Sequence, residues 1–387
     1  MKIAKTATTL ALLLLGTAPL FAQDNLPPAN QTAASPPVNP PSLTNPSQTS
    51  APEIAFDAEE FGKLPTDLYM GEASSVAVNS KGHVFVFSRG NSTGPAYGAA
   101  ASQLLEFDAG GKFIREIGHN LYAWGFAHAV RVDSKDNIWV ADKGSDMVVR
   151  FNPEGRVTLV LGRKSEASDE GAHPWAHPRP PLPPVDGMFR QVTDMAWDPQ
   201  GNIYVSDGYV NSRVAKFDKD GNWLGSFGEP GNGPGQLRTV HAIAADKDGN
   251  LYVADRGNRR IQVFDGEGHV KRIITIDIPA QNKHLIMYGN NLRGPNSGLS
   301  LFFPGAPWSV CITPPKAGSP QYLFAADAFR IFKMTLDGHV IGWLGGEGKG
   351  LKEFGWIHGL DCPNENTLFA AELVNWRVQK LTLHPVK

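Results

Sequence analysis

Three histidines are the residues of this 387-residue sequence best suited to chemistry: His128, His241 and His358. Each opens a copy of the same internal pattern, and one other copy lies between each pair. Aligning all the copies gives one equivalent position in each: Ser74, His128, Thr193, His241, Trp308 and His358. Histidine therefore recurs at every second copy. If six copies close into a ring, alternate ones lie about 120° apart around its axis, and side chains entering at one level converge. Three imidazole nitrogens with an open fourth position are the ligand set of a catalytic zinc site, although other first-row metals also accept such ligands. The plainer alternative is that each histidine separately fills a polar channel.

A second equivalent set follows the second strand of each copy: Arg89 in FSRGN, Lys143 in ADKGS, Gly208-Tyr209 in SDGYVNSR and Arg256 in ADRGNRR. Arginines beside a metal suit a substrate that carries a carboxylate. A phenol near a divalent cation releases its proton more readily and can serve as a base. Arg213, Arg259 and Arg260 read instead as surface or packing residues. His173 and His177, four residues apart in a Pro-rich stretch, have no helix to align them and read as solvated side chains rather than a second metal site.

The elements that must position these groups are legible in the repeat. One copy reads HAVRVDSKDNIWVADKGSDMVVRFNPEGRVTLVLG from His128, another HAIAADKDGNLYVADRGNRRIQVFDGEGHVKRI from His241. Alternating apolar residues rich in Val, Ile and aromatics make strands, and Asp-x-x-Gly-Asn or Asp-Gly pairs make the tight hairpins between them. Four such antiparallel strands form one blade, so the chain is expected to be all-β, a six-bladed β-propeller of NHL-like repeats. The sixth copy, from His358, has only three strands. The segment from Ile54 to Phe61 is expected to supply the fourth and close the ring. Residues 163–184 and 279–307 interrupt the pattern between blades and are expected to cover one face.

The ends bound the rest. Lys2 and Lys5, the apolar run from Leu10 to Leu15 and the small residues up to Ala22 read as a signal peptide over 1–22, which predicts an exported protein, periplasmic or secreted. Residues 23–52 are rich in Pro, Asn, Ser, Thr and Gln and read as a disordered linker, leaving 53–387 as the propeller. Nothing after the leader is long and apolar enough to span a bilayer. A formal net charge of −2 without a dense basic block argues against nucleic acid as a partner. A monomer is expected. Cys311 and Cys362 fall on first strands of neighbouring copies and could pair or remain buried thiols.

The strings TDMAWDPQGNIYVSDGYVNSR and VHAIAADKDGNLYVADRGNRRIQVF, with VFVFSRGN, FAHAVRVDSKDNIWVAD and WIHGLDC, resemble peptidyl-α-hydroxyglycine α-amidating lyase (peptidylamidoglycolate lyase). The resemblance covers most of the chain after residue 70. It implies zinc held by His128, His241 and His358, Tyr209 as the catalytic phenol, and Arg89 and Arg256 binding and polarising the substrate. The implied reaction splits an N-acyl-α-hydroxyglycine into an amide and glyoxylate. The aspartate that the family ties to a structural calcium is replaced by Gly359, with Asp361 two residues further on, so calcium is not carried over. The family's cysteines flanking the tyrosine motif are absent, and Trp356-Ile357 stands where the family has a methionine near its third histidine. The expected function is a metal-dependent carbon–nitrogen lyase acting on a small-molecule or peptide substrate with a carboxylate. The alternative is a non-catalytic exported NHL propeller that binds a protein, peptide or glycan. A calcium-dependent lactone hydrolase ranks last, because the channel positions offer histidines rather than carboxylates.

Overall fold

The computed structural model describes residues 36–90, 102–164, 183–280 and 304–384. Within them lie six four-stranded antiparallel sheets, each in simple up-and-down order, arranged as the blades of a propeller. Blades 1 to 5 cover residues 73–117, 127–162, 194–227, 240–274 and 309–344. Blade 6 takes Ile357–Asn364, Thr367–Glu372 and Arg377–Leu383 from the C-terminal end and Phe56–Phe61 from the N-terminal end. Phe56 pairs with Leu383 and Phe61 with Val378, so the expected closing strand is in place.

The Asp-x-x-Gly-Asn motif explains the hairpins. In blade 2, Asp133 accepts the backbone N–H groups of Lys135 and Asn137 on one carboxylate oxygen. Its other oxygen takes the indole N–H of Trp139, 2.9 Å away. Blades 3 and 4 repeat this arrangement with Asp198 and Tyr204, and with Asp246 and Tyr252. Gly201 and Gly249 take positive φ, which glycine adopts without a steric penalty. The apolar core is divided among the blade interfaces. Phe85 and Phe87 of blade 1 pack with Val130 and Phe151 of blade 2, and Val76 and Val86 close against Phe369 and Val378 of blade 6.

Buried ion pairs tie the blades to the loops above them. Arg213 meets Asp207, Arg260 meets Asp255, Arg330 meets Asp327 and Arg377 meets Glu372. Each arginine also donates to loop carbonyls, such as Val185 and Met188 for Arg213. Arg213 and Arg260 are thus blade-packing residues. Cys311 and Cys362 form a disulfide between the inner strands of blades 5 and 6, with Cα atoms 6.1 Å apart.

One boundary differs from the sequence reading. Residues 36–52, assigned there to a disordered linker, run as a strap along the outer strands of blades 4 and 5. Thr44 bridges Ile273, and Glu53 bridges Trp343. Asn45 is buried, its side-chain amide donating to the carbonyls of Thr275 and Gly338. Composition missed this because the strap needs no core of its own: the outermost strand of each blade leaves a row of backbone groups unpaired, and the strap pairs with them. Residues 1–22, read above as a signal peptide, lie outside the described residues, as do 165–182 and 281–303 with most of both insertions, including His173 and His177. Among the described residues no helix is long and apolar enough to cross a membrane.

Candidate metal centre

The start of each inner strand faces the propeller axis at one rim. His128 stands on Ala127–Val132, His241 on Val240–Ala245 and His358 on Ile357–Asn364, and all three are buried. Their ring centroids are 4.7 Å apart in every pair. Their potential ligand atoms all lie within 4.8 Å of one another, so the three could hold a metal ion.

Each ring is oriented by the next blade. The Nδ1–H of His128 donates to the carbonyl of Thr193 at 2.7 Å, that of His241 to Trp308 at 2.5 Å, and that of His358 to Ser74 at 2.7 Å. The acceptors occupy the same repeat position on the odd blades that histidine occupies on the even ones. A carbonyl only accepts, so Nδ1 carries the proton and Nε2 keeps its lone pair. The Nε2 atoms of His128 and His241 are buried without a hydrogen-bond partner. Burial holds the pKa of both rings well below the usual histidine value. The charges of His358, Lys143 and Arg89 push His128 the same way, and that of Arg256 does so for His241. Neutral, oriented imidazoles with unsatisfied buried lone pairs are the donor set a metal ion needs, and their orientation by backbone carbonyls is typical of metal-ligating histidine.

The channel has a floor. Arg131, further along the inner strand from His128, grips the carboxylate of Asp194 with Nε at 2.9 Å and Nη2 at 2.6 Å. Its guanidinium also donates to the carbonyls of Leu360 and Val310. One side chain so joins blades 2, 3, 5 and 6. Asp361 accepts the backbone N–H of Val78 on blade 1. Burial pushes the Asp361 carboxyl up to about 6, against the opposing pull of Arg131.

On the open side, the loops after the second strands bring the second set together. The Tyr209 ring stands edge-on to His128 at 5.6 Å and to His241 at 5.9 Å. The Arg256 guanidinium lies 3.9 Å above the Trp308 ring and 5.5 Å from that of Tyr209. Arg89 lies 3.9 Å above Phe126, paired with Glu72 at 2.7 Å. Lys143, which the sequence grouped with these residues but gave no role, is buried with its ammonium 4.2 Å from the Tyr209 ring centre. Its membership in the repeat-aligned set was the available signal. Three cations and a phenol around three oriented imidazoles can bind an anion and move a proton.

The NHL repeat signature matches residues 237–264, the first three strands of blade 4. Mouse peptidyl-glycine alpha-amidating monooxygenase is 30% identical over 239 residues, covering 55% of this chain and 23% of that protein. A Caenorhabditis elegans protein named "Probable peptidyl-alpha-hydroxyglycine alpha-amidating lyase" is 28% identical over 241 residues, covering 58% of this chain and 64% of that protein. The chain thus matches less than two thirds of either relative's length. A solved streptogramin B lyase structure covers 85% of this chain and 98% of its own at 15% identity and a TM-score of 0.51, a likeness of fold alone. The resemblance seen in the motifs is therefore shared with one relative named as an amidating lyase and one named as an amidating monooxygenase.

Proposed function

We propose that this protein is an exported, metal-dependent carbon–nitrogen lyase that cleaves a peptidyl- or N-acyl-α-hydroxyglycine into an amide and glyoxylate. The observation that carries this reading is the meeting of three oriented imidazoles on the axis, beneath Tyr209 and Arg256. The likeness to relatives named as amidating lyases supports it.

His128, His241 and His358 would hold the ion, and zinc is the metal that three neutral histidines with an open position suit best. When bound, zinc supplies Lewis-acid chemistry, drawing electron density from substrate oxygen. Arg89 and Arg256 bind and polarise the substrate, and an arginine steadies its carboxylate. Tyr209 takes the proton of the α-hydroxyl. As the C–O bond becomes a carbonyl, the C–N bond breaks and its electron pair leaves with the amide nitrogen, which gains a proton. Water is neither consumed nor released.

The test is glyoxylate release from α-hydroxyhippurate by the purified protein, together with its metal content. We expect one equivalent of metal, lost in His241→Ala along with activity. A wild-type protein without metal and without glyoxylate release would instead support the non-catalytic NHL propeller, a reading that the repeat signature in blade 4 keeps open. Export is tested by fractionating cells that produce the full chain.

A further inference from the structure

The walls of the centre are chemically unequal. Blades 1 to 3 contribute Arg89, Lys143 and Tyr209, whereas blades 5 and 6 contribute indoles. At the ring position where the other odd blades carry the small residues Ser74 and Thr193, blade 5 carries Trp308. Trp308 is buried, 4.7 Å from the His241 ring and 6.0 Å from that of His358. Trp356 stands edge-to-face against it at 4.9 Å, two residues before His358 on the rim side, and remains half-buried.

The backbone is bent to place Trp356 there. Its φ is +64°, as at the equivalent positions Gln191 (+61°) and Thr239 (+55°) of blades 3 and 4, so the left-handed turn belongs to the repeat and blade 6 uses it to present an indole. The strand is pinned in that shape by hydrogen bonds from Leu373 N–H to the Trp356 carbonyl and from Val374 N–H to that of Gly355. Between the two halves, the Arg256 guanidinium is stacked on Trp308, so the cationic side and the indole side meet at one residue.

We propose that Trp308 and Trp356 form an aryl-binding wall, and that the preferred substrate carries a flat aromatic acyl group on its hydroxyglycine nitrogen. This rests on the lyase reading above. With the carboxylate drawn to the cations, the acyl group on the other side of the cleaved bond faces the indoles. Edge-to-face and offset-stacked contacts of an aryl ring with Trp356 are of a size to change affinity about threefold to tenfold.

Two probes separate this inference from the reading beneath it. The first is turnover of N-benzoyl- against N-acetyl-α-hydroxyglycine. The second is calorimetric binding of hippurate against N-acetylglycine, unreactive analogues that lack the hydroxyl. Wild type is expected to favour the benzoyl member of each pair. Trp356→Gly, which suits the positive φ, should reduce both preferences about threefold to tenfold, the turnover effect lying in KM, and Trp356→Phe should restore most of it. Thermal unfolding and metal content check that the variants are intact. If hippurate binds preferentially through Trp356 while no glyoxylate is released from either substrate, the lyase reading fails and the wall stands. Equal preferences in wild type, or preferences unchanged in both Trp356 variants, overturn the wall.

Discussion

At the scale of single residues, the centre separates histidines, a phenol and cations by repeat position, and substitutions should separate their effects. Tyr209→Phe removes one oxygen and keeps the ring against His128 and His241. With Tyr209 as the base, kcat should fall by about 10²–10⁴ while metal content stays at the wild-type level, checked by steady-state kinetics beside elemental analysis. A variant with unaltered kcat would remove the phenol from the chemistry. Arg256→Lys keeps the charge but loses the flat cation that lies on Trp308. The expected result is a higher KM for a carboxylate-bearing substrate, at least about tenfold, because lysine does not reproduce paired, planar recognition. The three histidines were legible in the sequence because the repeat supplies an internal alignment: a residue type that recurs on alternate blades stands out against the copies between. Lys143 was legible only as a position, since nothing in a linear reading tells a buried ammonium over Tyr209 from an ordinary turn lysine.

At the scale of elements, the short sixth repeat disclosed that a strand had to come from elsewhere, and the segment from Ile54 to Phe61, ahead of the first copy, was the one expected to supply it. Phe61 packs edge-on against Phe369 of the C-terminal strands, 5.2 Å between centroids, and against Phe107 of blade 1 at 6.2 Å. Phe61→Ala should cost about 3–5 kcal/mol in denaturant unfolding, the range for deleting a buried aromatic. A loss below about 1 kcal/mol would mean that this strand does not hold the ring shut. The strap at 36–52 was not legible, because its polar, Pro-rich composition is that of unstructured chain; its order comes from backbone groups on outer strands that no local pattern reveals. The test position is Asn45, whose amide joins the strap to Thr275 and Gly338. Asn45→Ala leaves buried partners unsatisfied and should destabilise the fold by about 1–3 kcal/mol.

At the scale of the whole molecule, the channel floor links stability to pH. The carboxyl of Asp361 is raised from 3.8 to about 6 by burial, so the folded protein holds this proton at pH values where the unfolded chain has lost it. The stabilisation from this group is complete below about pH 4 and disappears as pH rises through about 6. Asp361→Asn should therefore gain stability relative to wild type between pH 4 and pH 7, on the order of 2–3 kcal/mol, and thermal unfolding of both proteins across that range measures it. A difference that stays flat with pH would overturn this. The closure of blade 6 bears also on how the molecule comes into being. Phe56 must find Leu383, so the first strand of the ring to leave the ribosome pairs with the last. Closing so long a loop is slow, because its entropy is lost before the contacts form, and the waiting strand exposes an unpaired edge. Ring closure is therefore expected to be the final step of folding, and the interval before it the time at which this chain is most open to aggregation.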